Sequence, residues 1–126
     1  MNAAEIAERL ADIRRGPFYL IHLEPGERWD LAGDEFRRLM PQHGEWLRDL
    51  EESGRRFLAG PIDLLNWKGR GLAIVRAATM EAALAIAESE PFHRDGMRAN
   101  TVEPWDAIEG SINLRVDLQS GKGTLS

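Results

Sequence analysis

Two segments of this chain, PFYLIHL at 17–23 and GLAIVRAA at 71–78, are largely apolar on both sides. Successive side chains of a β-strand point to opposite faces of the sheet, so a strand of this composition has little surface suited to water. In the first segment Phe18 and Leu20 face one way, whereas Tyr19 and Ile21 face the other. We therefore expect this segment to be a central strand, in a sheet whose two faces are both buried.

Apolar residues at helical spacing predict helices before, between and after these segments. Ile6, Leu10 and Ile13 form one stripe of a short amphipathic helix within residues 1–15. A second helical pattern starts near residue 34, and the run MEAALAIAES at 80–89 is the third. The chain therefore alternates between helical and strand patterns.

Capping residues set the expected ends of the second and third helical segments. Asp34 is expected to cap a short helix that ends at Met40, and Pro41 to begin the next helix at its first turn. Gly54 is the expected left-handed residue after that helix, and Thr79 the N-cap of the third segment. Pro41 thus predicts two separate helices, although one apolar stripe continues on both sides of it.

Three further strands complete the pattern. RRFLAGPI at 55–62 is a strand that Pro61 ends, and 97–105 is a fourth strand. SINLRVDL at 111–118 alternates strictly, which predicts a half-buried fifth strand at an edge, whereas 119–126 is expected to be a flexible tail. The order β-α-β-β-α-β, with an extra N-terminal helix and an extra C-terminal strand, predicts an α+β, ferredoxin-like split unit. We expect one domain over 1–126, with its core at about 17–106.

The two main helices of such a unit cover one face of the sheet only. The other face is also apolar and has to be buried elsewhere. A second copy of the chain, packed sheet against sheet, would bury it, so we predict a homodimer. The alternative is a monomer in which the N-terminal helix covers part of that face.

Composition excludes several classes of partner and site. The net charge of −5 argues against nucleic acid, because phosphate binding needs a basic surface. No cysteine is present, which excludes disulfides and Cys-type zinc sites and suits a cytoplasmic protein. The longest apolar run, FYLIHL, is too short to cross a membrane, and the charged N-terminus lacks the apolar stretch of a signal peptide.

His43 and Glu90 are the candidate catalytic pair. His43 lies on or beside the apolar stripe of its helix, and Glu90 lies where the third helical segment ends, before Pro91. Both helices pack on one sheet face, so the two side chains could meet, and a carboxylate beside an imidazole makes a general acid–base pair. The alternative is a core-edge histidine bonded to a backbone carbonyl and a solvated acid at a helix end.

Aromatic residues supply candidate walls for a pocket. Trp46, Phe92 and Trp105 could line an apolar site, although burial in the core is the usual role of such residues. Trp29 and Trp67 lie in loops, where they could flank a pocket mouth or a partner surface.

The remaining polar candidates are His22, His93 and Arg94. His93 and Arg94 could neutralise an anionic substrate group or be solvated cations at a helix end, and His22 could enter the same cavity or lie in the sheet interface. The sequence has no Gly-rich phosphate loop and no paired histidine motif, so we expect no cofactor and no metal.

The chain resembles the YciI-like (YCII-related) family over about residues 18–105. The resemblance is carried by the His-x-x-Trp-Leu segment at His43, by GRRFLAGPI, by the strand GLAIVRAA, by the helix MEAALAIAESE and by EPFHRDGMRANTVEPW. It implies a ferredoxin-like fold and a dimeric α+β barrel. It also implies that His43 and Glu90 are the active-site pair, although the family usually has Asp at the second position, one methylene shorter than Glu90.

The resemblance implies a class of chemistry but no particular substrate. The suspected activities of the family are lyase or isomerase steps on small molecules, such as intermediates of aromatic degradation. We therefore expect a cofactor-independent enzyme in which His43 moves a proton and Glu90 orients it. The alternative is a non-catalytic module that binds a small molecule or docks on a larger enzyme.

Overall fold

A computed structural model describes residues 2–5, 18–106, 114–117 and 122–125 of the chain. The elements, in chain order, are β1 (Phe18–Leu23), α1 (Asp34–Glu52), β2 (Arg56–Pro61), a 3₁₀ turn (Leu64–Asn66), β3 (Gly71–Arg76), α2 (Met80–Glu88), α3 (Pro91–Arg94), β4 (Thr101–Trp105), β5 (Leu114–Asp117) and β6 (Lys122–Leu125).

The main sheet is antiparallel, with its strands in the order β2-β3-β1-β4. The two segments that are apolar on both sides are its central strands, as expected from the sequence. With α1 between β1 and β2, and α2 between β3 and β4, this is the ferredoxin-like α+β arrangement that the sequence predicts.

One face of the sheet packs against the helices. Tyr19, Ile21 and Leu23 of β1 are buried there against Trp46 and Leu50 of α1, and Ala83, Ile86 and Ala87 of α2 close the same cluster. A second, smaller cluster joins α1 to α3 through Leu39, Phe92 and Met97. The candidate site lies where α1 meets this second cluster.

The opposite face carries the alternate residues of the same strands. Leu20 pairs with Ile74, which in turn pairs with Leu58, so the three side chains share one face. Leu20 and Ile74 are half-buried, and Leu58 is 52% exposed. This face is therefore apolar and lies away from α1 and α2.

Helix α1 runs without interruption from Asp34 to Glu52, so the predicted break at Pro41 is wrong. A proline inside a helix removes one backbone hydrogen bond. Residues on both sides of Pro41 pack on the protein interior in one stripe, and this burial offsets the loss: Leu39, His43, Trp46 and Leu50. The predicted cap is also wrong, because Asp34 is the first helical residue and Gly33 is the N-cap, without a side-chain hydrogen bond.

The other two helix ends match the expectation. Gly54 has φ +72°, and its N–H donates to Glu51 O while Arg55 N–H donates to Leu50 O, which is the Schellman arrangement. Thr79 is the N-cap of α2, where its Oγ1 accepts a 3.1 Å hydrogen bond from Ala82 N–H. Both predictions are confirmed.

The C-terminal part differs from the expectation. β4 begins at Thr101 rather than at Met97, because Met97 N–H bonds back to Phe92 O at the end of α3. β5 pairs with β6 in a separate two-stranded sheet instead of lying at the edge of the main one, and β6 falls in the expected tail. At the N-terminus residues 3–5 are helical, and the rest of the predicted helix lies outside the described residues.

Candidate functional site

His43 lies on the inward stripe of α1 and is 7% exposed. Its ring stacks on Trp46, with centroids 5.7 Å apart and planes 26° apart, and Phe92 closes it from a second side at 5.5 Å. Nδ1 is buried, and none of the described residues forms a hydrogen bond with it. The hydrogen bond to a backbone carbonyl, expected if His43 has a structural role alone, is therefore not formed by Nδ1.

Glu90 is fully buried and points into the domain. It is the N-cap of α3, where its Oε2 accepts a 3.0 Å hydrogen bond from His93 N–H. Its Oε1 lies 3.7 Å from His43 Nδ1, which is an ion-pair separation outside hydrogen-bond range. The structure therefore brings the predicted pair together without joining it by a hydrogen bond.

Arg98 holds the carboxylate from the other side. Its side chain is 2% exposed, and its Nη1 donates to Glu90 Oε1 at 2.7 Å, the same oxygen that faces His43. Its Nη2 and Nε donate to Gly69 O at 3.0 and 3.3 Å. A buried guanidinium needs such partners, because an unpaired charge in the interior is costly.

Aromatic rings surround the Arg98 guanidinium. Its central carbon lies 4.7 Å from the Trp29 ring centroid, 4.9 Å from that of Phe92 and 6.0 Å from that of Trp67. Such contacts add cation–π attraction, worth about 1–2 kcal/mol when desolvated. The two loop tryptophans thus enclose an internal cation, and both remain partly exposed.

Arg98 is a residue of the site that is absent from the candidates predicted above. One signal in the sequence could have indicated it: an arginine beside the apolar Met97, in a chain with two tryptophans in loops. A cation within an apolar stretch needs an anion and aromatic or carbonyl partners, and Glu90 stands eight residues earlier in the chain.

Gly69 shapes the site because its carbonyl receives Arg98. It has φ +95°, and a Cβ at this position would lie 2.4 Å from the Trp29 indole. We expect Gly69→Ala to lower the free energy of unfolding by about 2 kcal/mol or more, from backbone strain and displacement of Trp29. Gly44→Ala is the matched control, because Gly44 lies within α1 and its Cβ meets nothing within 4 Å.

Urea unfolding monitored by circular dichroism measures both glycine variants. The control is expected to be stabilised by about 0.5–1 kcal/mol, since alanine favours a helix over glycine. Equal stability of Gly69→Ala and wild type would contradict the close packing of Trp29 on Gly69.

Burial affects which side chains of the site are charged. Burial lowers the pKa of His43 to about 4, Glu90 opposes this shift, and Arg98 adds to it. Burial also lowers the pKa of Arg98, against its hydrogen bond with Glu90, but an arginine stays charged at neutral pH. At pH 7 the site therefore holds a neutral imidazole beside a guanidinium that is bonded to Glu90.

The pKa of His43 predicts a loss of stability in acid. The unfolded chain binds a proton near the ordinary pKa of 6.5, whereas the folded protein binds it only near 4, so protonation favours unfolding. The contribution is complete above about pH 6.5 and declines as the pH falls toward 4, by up to about 3 kcal/mol. Urea unfolding at pH 7 and pH 4.5 measures it, and His43→Gln should lose less stability over this range than wild type.

The other predicted residues of the α1–α3 side lie around this pair. Trp46 is buried, and its Nε1 donates to Ser89 Oγ at 3.0 Å and to Ile86 O at 3.2 Å. His93 Nδ1 accepts a 3.0 Å hydrogen bond from Asn100 N–H, so this nitrogen carries no proton in that bond. The structure thus gathers Trp46, Phe92 and His93 beside His43 and Glu90.

Arg94 is exposed and lines a cleft on the outer side of Trp46. Its Nη2 donates to Gln42 Oε1 at 2.9 Å. The cleft has a volume of about 310 Å³ and is walled by Trp46, Pro91, Ser89 and Arg55, among others. This volume is at the lower end of the range typical of small-molecule sites. A second cleft, of about 760 Å³, adjoins it at Arg55 and Ser89.

His22 and Trp105 lie on the opposite face of the sheet from His43. His22 Nε2 is 3.2 Å from Glu103 Oε1, and Trp105 packs on Phe18 with ring centroids 6.5 Å apart. Within one copy of the chain these two side chains are therefore separated from His43 by the sheet. Among the described residues no group of three or more histidine, aspartate and glutamate side chains is placed to hold a metal ion.

The sequence profile of the YCII-related domain matches residues 18–106. This chain belongs to the YCII-related family. The match covers β1 to β4 and includes every residue of the site described above. No curated protein matches this YCII-related chain.

A solved structure has the same fold at low sequence identity. It is the 5-chloro-2-hydroxyhydroquinone dehydrochlorinase TftG of Burkholderia phenoliruptrix AC1100, in complex with 2,5-dihydroxybenzoquinone. The TM-score is 0.55 and the identity 19%, and the match covers 70% of the YCII-related chain and 92% of the other.

In the described part of the chain, no helix is both long and apolar enough to cross a membrane.

Proposed function

We propose that this YCII-related protein is a small cofactor-independent enzyme that transfers a proton through His43, in a lyase or isomerase reaction on a small molecule. One observation carries the proposal. A neutral histidine is buried against Trp46, its Nδ1 has no hydrogen-bond partner among the described residues, and this nitrogen lies 3.7 Å from the carboxylate of a buried glutamate. A buried polar nitrogen without a partner is costly, and a catalytic role is one of the reasons for which proteins keep such a group.

The proposed roles follow from the orientation of the ring. With its proton on Nδ1, His43 faces Glu90, and Nε2 keeps a free lone pair to accept a proton from the substrate. The imidazolium that results would then be stabilised by the Glu90 carboxylate. In this scheme His43 is the general base, and Glu90 orients it by its charge at 3.7 Å rather than by a hydrogen bond.

The proton and electron balance of an elimination is simple in this scheme. His43 takes a proton from a carbon next to a carbonyl or enol, and the electrons of the broken C–H bond form the new double bond. The leaving group departs with the electrons of its own bond. In an isomerisation His43⁺ returns the proton to another carbon of the same molecule instead.

The class of substrate is proposed from the apolar walls and from the structural neighbour. Trp46 and Phe92 would pack on a flat ring, and Arg94 would neutralise an anionic group. His93 could supply only a hydrogen bond there, because its Nδ1 accepts from Asn100 N–H and the ring is then neutral. The neighbour is a dehydrochlorinase in complex with a dihydroxybenzoquinone, which supports a hydroxylated ring and an elimination. We therefore propose a small ring compound such as an intermediate of aromatic degradation.

Solvent-deuterium exchange tests this proposal even where the product has not been identified. Hydroxylated quinones and hydroquinones, with and without a chlorine substituent, are incubated with the protein in D₂O and followed by NMR and by chloride release. Exchange or release that requires His43 supports proton transfer. A panel in which no compound reacts faster with protein than without it would oppose an enzyme for this class.

A second candidate function is a non-catalytic module that binds a small molecule or a larger enzyme. The observation that favours it is that both carboxylate oxygens of Glu90 already accept a hydrogen bond: Oε1 from Arg98 and Oε2 from His93 N–H. Under this alternative Glu90 is a structural anchor for α3 and His43 is a packing residue. The deuterium experiment separates the two, because a module would bind a ring compound without exchanging its protons.

We also propose that the protein is a homodimer whose sheets pack face to face. The apolar face with Leu20, Ile74 and the exposed Leu58 supports this assembly. In such a dimer His22 and Trp105 would lie at the interface. A cytoplasmic location is supported by the absence of cysteine.

We expect Leu58→Asp to dissociate the dimer, because two-fold symmetry would bury a new carboxylate from each copy in the interface. The dissociation constant should rise about 100-fold or more. Sedimentation velocity measures it, with Leu84→Asp on the exposed side of α2 as the matched control. A wild-type chain that sediments as a monomer at high concentration would instead support coverage of this face within one chain.

A further inference from the structure

One carboxylate oxygen lies between two cationic or potentially cationic groups. Glu90 Oε1 is 2.7 Å from Arg98 Nη1 and 3.7 Å from His43 Nδ1. A carboxylate oxygen could serve either partner, and a hydrogen bond to an imidazole needs about 2.6–3.2 Å. The structure thus assigns this oxygen to Arg98.

The position of Arg98 does not depend on Glu90 alone. Two of its nitrogens also donate to Gly69 O, and the rings of Trp29 and Phe92 lie on its guanidinium. Glu90 in turn is fixed at its other oxygen by His93 N–H. The carboxylate therefore has a hydrogen bond at both oxygens, whereas the His43 ring stacks on Trp46 and Phe92 and its Nδ1 has no hydrogen-bond partner among the described residues.

We propose that Arg98 is a positioning residue for His43: by holding Glu90 Oε1, it keeps the carboxylate out of hydrogen-bond reach and so adds to the preference of the buried imidazole for its unprotonated form. This inference rests on the proposed function, in which His43 has to be neutral to accept a proton. Without Arg98, Glu90 Oε1 would lose its hydrogen bond and would face the His43 ring alone. It would then favour the protonated imidazole, so that His43 would bind its proton at a higher pH than in wild type.

The same geometry accounts for a glutamate at this position. Arg98 approaches from the segment after α3, and the side chain of Glu90 reaches its guanidinium while it still caps α3. A shorter Asp at position 90 would leave one of these two contacts unmade. Two charged groups among the described residues act on the His43 ring. Glu90 lies directly before α3, and Arg98 lies in the segment after it.

NMR titration of the histidine ring protons tests the inference in the absence of any substrate. The chain has three histidines, and the signal that is lost in His43→Gln identifies His43. Arg98→Met removes the charge, Arg98→Gln removes it but retains a donor for Gly69 O, and Arg98→Lys retains the charge. Arg38→Gln is the matched control, because Arg38 lies on the exposed side of α1 and pairs with Asp95.

We expect the His43 midpoint to rise by about one pH unit or more in Arg98→Met and Arg98→Gln. It should stay near the wild-type value in Arg98→Lys and in Arg38→Gln. An unchanged midpoint in both neutral variants would overturn the inference and leave Arg98 with a structural role only. If Arg98→Met does not fold, Arg98→Gln alone decides between the two results.

A pH–rate profile separates this inference from the proposed function. If the protein turns over a ring compound, the acidic limb of the profile should move to higher pH in Arg98→Gln together with the His43 midpoint. A midpoint that rises without any turnover in wild type would support the inference about Arg98 and oppose the proposed function. Turnover whose acidic limb does not move in Arg98→Gln would overturn the inference and leave the enzyme assignment intact.

Discussion

Replacing Arg98 with methionine should lower the free energy of unfolding by about 3–5 kcal/mol. The change leaves Glu90, which is fully buried, without its charged partner, and it leaves Gly69 O without its two donors. Methionine retains much of the apolar contact with Trp29 and Phe92, so the loss comes mainly from the unpaired charge. Urea unfolding at pH 7 gives the value directly.

The double variant Arg98→Met with Glu90→Gln tests the origin of this loss. Removing both charges of a buried pair is far less costly than removing one, so the double variant should recover a substantial part of the stability. Arg37→Met is the surface control, because its ion pair with Asp34 is exposed and is worth at most about 1 kcal/mol. If Arg98→Met is no less stable than Arg37→Met, the buried pair does not hold this part of the fold together.

Replacing His43 with alanine should lower turnover of a reactive ring compound about 10²–10⁴-fold, the usual effect of losing a general base. His43→Gln should lose as much, although glutamine fills more of the space between Trp46 and Phe92. Arg38→Gln, on the exposed side of the same helix, should retain the wild-type rate. Circular dichroism and sedimentation of each variant show whether fold and assembly persist.

The split between kcat and KM identifies what His43 contributes. A base that acts in the transition state lowers kcat and kcat/KM together, whereas a binding residue mainly raises KM. A variant with wild-type kcat and raised KM would place His43 in the wall of the site rather than in the proton transfer.

Local patterns were sufficient for most of the fold. The apolar residues on both sides of β1 and β3 predict their central position, and Gly54 and Thr79 predict helix ends because capping depends on a few neighbouring residues. Pro41 does not break α1, because the packing of the stripe on both sides of it outweighs one lost hydrogen bond.

The candidate site was only partly predictable. The position of His43 on the inward stripe of α1 follows from its spacing to Leu47 and Leu50. The direction of Glu90 does not follow from its sequence neighbours, because a glutamate before a proline suits both a solvated helix end and an internal cap. Arg98 is buried by Gly69 and Trp29, which come from two distant loops, and only the folded chain brings these together.

Solvent-deuterium exchange into a hydroxylated ring compound, compared between wild type and His43→Ala, tests the central claim most directly. The account predicts that wild type incorporates deuterium or releases the leaving group well above the uncatalysed rate, and that His43→Ala loses at least about 99% of this activity. Exchange at the same rate in both proteins would contradict proton transfer by His43.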